Sequence, residues 1–160
     1  MTRELPLLLL DVDGVLNPFA ALGCPPGYQE LDLFPGEDPV RLCVAHGGWL
    51  RELASQFRVV WATAWMTEAN RLLAPRLGMP ELPFITFPPI TFQPLDKLPA
   101  VISFVADLPF VWIDDALEPE AHEWADRRRA PTLLIDADPA VGLTRQMVDQ
   151  CLDWATQLAT

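Results

Sequence analysis

The stretch Asp11-Val12-Asp13-Gly14-Val15-Leu16-Asn17-Pro18 follows directly on a run of leucines. Two carboxylates two residues apart, at the end of an apolar strand, suit a two-step group transfer. The first can attack phosphorus and form an aspartyl-phosphate. The second can protonate the leaving oxygen and then take a proton from the attacking water. Gly14 lets the backbone turn sharply where a metal or a phosphate must come close. The same residues also read as a plain strand-ending turn, because Asp, Gly, Asn and Pro all favour turns. More of the chain must be weighed.

Three further positions carry chemistry of the same kind. Thr63, in Trp61-Ala62-Thr63-Ala64-Trp65, offers a strand-end hydroxyl ahead of the amide-rich start of a helix, a combination that holds a phosphate oxygen. The alternative is that Thr63 or Thr67 caps that helix. Lys97 is the only lysine in the chain and precedes a helix start, where a cation does nothing for the helix dipole. It can neutralise a phosphoryl group in flight, or it can be an ordinary solvated lysine. Asp114-Asp115 closes the apolar segment Phe110-Val111-Trp112-Ile113. Adjacent acids repel unless a cation or hydrogen bonds compensate, and a hard oxygen-binding ion such as Mg²⁺, shared with Asp11, answers that need. An acidic cluster at a helix N-terminus is the bland alternative. Asp136-Ala137-Asp138-Pro139 repeats the D-x-D spacing but reads as a turn. His46 and His122 have no metal-ligand spacing; His122 is expected on a surface helix. No nucleophile elbow, P-loop or dinucleotide fingerprint is present.

The elements that must position these residues alternate between apolar runs and helix-like stretches. This is the pattern of a parallel sheet covered on both faces. Strands are expected over Leu7–Val12, Arg58–Thr63, Pro109–Asp114 and Thr132–Asp136. Helices are expected over Pro39–Gln56, Thr67–Leu77 (kinked or shortened by Pro75), Pro99–Ala106, Glu118–Arg129 and Thr144–Ala159. Between Met79 and Pro99 lie Pro80, Pro83, Pro88, Pro89, Pro94 and Pro99, an extended stiff loop with a short strand around Phe84–Phe87. The predicted fold is therefore α/β, a three-layer Rossmann-like arrangement with a mostly parallel sheet and helices on both faces. Its strands end on Asp11, Thr63, Asp114 and Asp136, and open α/β sheets bind ligands at such ends.

At 160 residues, 51% apolar and 21% charged, the chain has the size and composition of one globular domain. The net charge of −11 disfavours a broad nucleic-acid footprint and favours a cation where carboxylates converge. Cys24, Cys43 and Cys151 read as reduced residues of an intracellular protein. The apolar N-terminal stretch is too short for a signal peptide or a membrane span, so a cytoplasmic location and no membrane partner are expected.

These residues, in this order, resemble the haloacid dehalogenase-like (HAD) superfamily of phosphatases. LLLLDVDGVLNP matches its first motif, VVWAT its second at Thr63, Lys97 its third, and VWIDD its fourth at Asp114 and Asp115. The resemblance implies that Asp11 is the nucleophile and Asp13 the general acid/base. It further implies that Mg²⁺ is held by Asp11, the backbone carbonyl of Asp13, and Asp114 or Asp115, with Thr63 and Lys97 on the phosphoryl group. Asp13 favours phosphate hydrolysis over carbon–halogen cleavage, since the family's dehalogenases lack that second acid. The spaces at Asn17–Gly48 and Ala64–Asp96, each about 32 residues, are too short for a full cap domain. A single capless catalytic domain over 1–160 is expected, open to a large phosphorylated substrate such as a nucleic-acid end or a phosphoprotein. Tyr28, Phe34, Trp65, Phe87 and Phe92 are loop aromatics able to stack on a base or line a pocket, ordinary loop packing being the alternative. The W-x-T-x-W and DKLPAV…WIDD patterns are similar to the HAD domain associated with RNA-repair enzymes. A phosphotransferase and a non-catalytic metal- or phosphate-binding module are the alternatives.

Overall fold

The computed structural model describes residues 3–88 and 97–160; Phe92 and the centre of the proline-rich passage lie outside them. Strand β1, Leu7–Leu10, is four leucines with every side chain buried. Side chains alternate across a strand, so Leu8 and Leu10 enter one core and Leu7 and Leu9 the other. Only a central strand with both faces covered tolerates such a run. β4 (Arg58–Trp61), β5 (Phe110–Asp114) and β6 (Thr132–Asp136) complete a four-stranded sheet in the order β4-β1-β5-β6, every pair parallel.

Helices α1 (Ala45–Ala54) and α4 (Arg145–Ala159) cover one face through Leu50, Leu53, Val148, Cys151 and Ala155. Helices α2 (Lys97–Val105) and α3 (Pro119–Arg127) cover the other through Val101, Val105 and Ala121. The mostly parallel α/β sandwich is thus the observed fold. Thr144 caps α4, its hydroxyl accepting from the Met147 amide at 3.2 Å. Pro119 opens α3 at a first-turn position where its missing N–H costs nothing.

Three expectations are corrected. The helix expected from Pro39 begins only at Ala45, because Val40–Cys43 forms strand β3, paired antiparallel with β2 (Tyr28–Leu31). Val40 and Leu42 are buried while Arg41 and Cys43 are half-exposed, the two-residue alternation of a hairpin strand. Gly47 sits inside α1 because a side chain there would lie 2.3 Å from the Leu77 carbonyl oxygen. The helix expected over Thr67–Leu77 starts at Thr67 but ends at Leu73, its turn Ala69–Leu73 being π-helical, and gives way to turns around Pro75, the residue expected to shorten it. Asn70 in that turn accepts from the Trp61 indole and the Leu82 amide, both at 2.8 Å, a tertiary bond that periodicity cannot anticipate. The short strand expected around Phe84 reduces to a single bridge, Trp61 to Phe84, which covers the outer edge of β4.

Candidate active site

All four sheet strands run the same way, so Asp11, Thr63, Asp114 and Asp136 arrive at one end of the molecule. Asp11 is the first residue past β1. Its amide still donates to Ile113 at 3.2 Å, and its Oδ1 accepts from the Val12 amide at 2.8 Å. The chain then folds tightly, with the Val15, Leu16 and Asn17 amides all directed to the Val12 carbonyl. Gly14 has φ +82°, and a Cβ there would stand 2.2 Å from Asp115 Cγ. No other residue both adopts that backbone and leaves room for the Asp115 carboxylate.

Oxygen atoms of Asp11, Asp114 and Asp115 lie within 4.8 Å of one another. The two distant segments named from sequence therefore meet. Asp11 and Asp114 are buried, and Asp115 is half-buried. Lys97, the first residue of α2 and itself buried, reaches between them. Its ammonium lies 3.1 Å from Asp11 Oδ2, 2.6 Å from Asp114 Oδ2 and 3.0 Å from the Ala62 carbonyl oxygen. Each of its three protons thus has an acceptor. The Phe87 ring centroid is 5.8 Å away.

Burial pushes the Asp11 carboxyl well above the ordinary carboxylate range; the Lys97 ammonium opposes this, and the Asp114 and Asp115 charges reinforce it. Asp115 is raised for the same two reasons, burial and then the neighbouring Asp114. Burial alone would depress Lys97, but the Asp11 and Asp114 carboxylates outweigh it and hold the ammonium above its ordinary value. Three converging carboxylates with one ammonium leave net negative charge in a desolvated place. A divalent cation with oxygen preference fits that donor set.

Thr63 is buried, and its hydroxyl accepts from the Trp65 amide at 3.2 Å. It lines a cavity of about 210 Å³ with Asp11, Asp13, Lys97, Asp114 and Asp115. Every residue singled out from the four motifs is on this one cavity. Asp13 differs from the other acids in being exposed. Its side chain stands apart from the carboxylate cluster, accepting from Asn17 Nδ2 at 2.9 Å and from the Trp65 indole Nε1 at 3.0 Å. A second cavity of about 480 Å³, lined by Asn17, Phe34, Glu37, Asp38 and Trp65, adjoins the first through Asp13.

The aromatics expected in loops separate into different roles, Tyr28 lying in β2. Phe34 and Trp65 meet edge to face, centroids 4.9 Å apart, in the wall of the second cavity. Tyr28 instead packs on His46, its hydroxyl 3.4 Å from Nε2, and Phe87 is buried in the core. Asp136 closes β6 and pairs with His122 on α3 at 3.2 Å, while Asp138 forms the expected turn, accepting from the Ala140 amide. Sequence reasoning gave no role to the Asn17 side chain and saw Trp65 as a ring that stacks on a base or lines a pocket, not as a hydrogen-bond donor. The Asp13–Asn17 spacing of four residues was the available signal for Asn17. The W-x-T-x-W pattern includes Trp65, but nothing local marks its indole as a donor to Asp13, fifty-two positions away.

A family model described as the HAD domain in Swiss Army Knife RNA repair proteins matches residues 7–148. No curated protein matches the chain. Among the described residues, no helix is long and apolar enough to cross a membrane.

Proposed function

The chain belongs to the HAD domain family of Swiss Army Knife RNA repair proteins, and on that premise we propose that it is a Mg²⁺-dependent phosphomonoester hydrolase working through an aspartyl-phosphate on Asp11. The observation that carries the reading is the convergence of Asp11, Asp114 and Asp115 within 4.8 Å around the Lys97 ammonium. Asp11, Asp114 or Asp115 and the Asp13 backbone carbonyl would hold Mg²⁺, which supplies charge neutralisation to a phosphoryl group when bound.

Asp11 attacks phosphorus as the ester P–O bond breaks, and Asp13 gives its proton to the departing oxygen. Asp13 then takes a proton from water, whose oxygen attacks the phosphorus of the aspartyl-phosphate and releases Asp11 and inorganic phosphate. Lys97 offsets the charge of the nucleophile throughout, and it reaches a phosphoryl oxygen by exchanging one of its present acceptors. The Thr63 hydroxyl, on the same cavity, donates to a second phosphoryl oxygen.

The family description supports a nucleic-acid end as the phosphate donor. The net charge of −11 and the Glu37 and Asp38 side chains beside Asp13 oppose a long polyanion footprint. The chain therefore engages a terminal phosphate and little beyond it. A single capless domain, with its cavities open to such an end, completes the proposal.

The test is phosphate release from 4-nitrophenyl phosphate with Mg²⁺, wild type against Asp11→Asn. Loss of at least about a thousandfold is expected for removal of a covalent nucleophile. Equal rates for the two proteins would refute the assignment. A release screen over phosphorylated oligonucleotides, nucleotides, phosphopeptides and sugar phosphates identifies the substrate class.

A further inference from the structure

We propose that Trp65 is a positioning residue for Asp13, its indole N–H holding the carboxyl that protonates the leaving oxygen. The proposal rests on the reading of Asp13 as general acid. Asp13 is exposed, and a free carboxylate in water samples several rotamers, each of which must be abandoned before proton transfer. Here both of its oxygens are occupied. Oδ1 accepts from Asn17 Nδ2 at 2.9 Å, and Oδ2 accepts from Trp65 Nε1 at 3.0 Å.

Both donors are themselves fixed. The Asn17 amide oxygen accepts from the Arg41 amide in β3 at 3.0 Å, so its nitrogen is the end left for Asp13. Trp65 is held by its backbone amide on Thr63 Oγ1 and by the Phe34 ring against its own, interplanar angle 73°. Phe34 lies between β2 and β3. One arm of the clamp therefore ends on the strand of the hairpin and the other on its connecting loop.

A carboxylate oxygen has two lone pairs. The clamp uses one on each, and the transferable proton takes one of the remaining positions. Asp13 lines both the cavity that holds Asp11 and the larger one walled by Trp65 and Phe34. The leaving group belongs in the larger cavity, and the proton moves from Asp13 to its oxygen as the bond to phosphorus breaks and the bond from Asp11 forms. Precise placement of that proton matters in proportion to the basicity of the leaving oxygen.

Leaving-group dependence reads this directly. The ratio kcat/KM reports events up to the first irreversible step, here transfer to Asp11, and so excludes the later role of Asp13 as base. For Trp65→Phe, which keeps a ring and removes the donor, kcat/KM for an alkyl phosphate is expected to fall about tenfold, the scale of one hydrogen bond. The value for 4-nitrophenyl phosphate, whose leaving group needs no proton, is expected to stay within about twofold. Asp13→Asn shows the same selectivity more strongly, and adding Trp65→Phe to it brings no further selective loss. If Trp65→Phe folds poorly, β-(3-benzothienyl)alanine at position 65 preserves the shape with sulfur in place of the N–H. Equal losses on both substrates, or a full additional loss in the Asp13→Asn background, overturn the proposal. Absence of leaving-group selectivity in Asp13→Asn alone overturns the general-acid assignment, and the proposal with it.

Discussion

Lys97 is the side chain on which the site depends most directly. Its ammonium contacts two buried carboxylates and a carbonyl, and among the described residues it is the one basic side chain lining the cavity of Asp11. Removing one partner of a buried ion pair leaves the other charge desolvated and uncompensated. Lys97→Met, of similar volume, is therefore expected to destabilise the chain by about 3 kcal/mol in metal-free buffer at neutral pH. Saturating Mg²⁺ should recover part of that loss, since a cation among Asp11, Asp114 and Asp115 replaces the missing charge. Urea unfolding of both proteins, with Mg²⁺ and with chelator, measures the two effects. A variant as stable as wild type in chelator would mean that the buried carboxylates do not depend on Lys97.

At the scale of elements, the hairpin β2–β3 is tied to the sheet by His46 at the start of α1. Its Nε2 lies 3.2 Å from the Leu143 carbonyl oxygen and 3.4 Å from the Tyr28 hydroxyl, joining β2, α1 and the loop before α4. Burial lowers the His46 imidazole to about 4 from 6.5, against the Leu143 carbonyl, which favours the charged form. A histidine depressed in the folded state stabilises it fully above 6.5 and loses that contribution as pH falls towards 4. At about 1.4 kcal/mol per pH unit, wild type should lose roughly 3 kcal/mol over that range from this residue. His46→Gln keeps a donor for Leu143 and cannot titrate. Its stability, followed by urea unfolding between neutral pH and about 4, should decline less steeply than that of wild type. Parallel decline would place the titrating group elsewhere.

For the whole molecule, charge sets how a polyanionic substrate arrives. A net −11 repels an oligonucleotide over distances comparable with the Debye length. Raising salt from about 20 to about 150 mM should therefore increase kcat/KM for a phosphorylated oligonucleotide several-fold, with a smaller rise for 4-nitrophenyl phosphate. Ordinary nucleic-acid binders behave in the opposite sense, because they release counterions from the phosphate backbone. A steep fall with salt would reveal a basic binding surface and remove the argument for recognition confined to the terminal phosphate.

Strand-end placement of Asp11, Asp114 and Asp136 was legible in the sequence. Uninterrupted apolar segments such as Leu7–Leu10 and Phe110–Ile113 admit little besides a strand buried on both faces. Parallel strands then bring their ends together, so a local pattern dictated a global arrangement. The hairpin was not legible. Four residues at Val40–Cys43 alternate too briefly to compete with the helical spacing that continues beyond them, and pairing with Tyr28–Leu31 decided the matter. The π-helical turn at Ala69–Leu73 depends in the same way on Asn70 reaching across to Trp61 and Leu82. Residue types at strand ends named the acids, and its scarcity and place ahead of a helix named Lys97. Only tertiary structure placed Trp65 on Asp13, because a hydrogen bond between side chains fifty-two positions apart leaves no periodic trace along a chain.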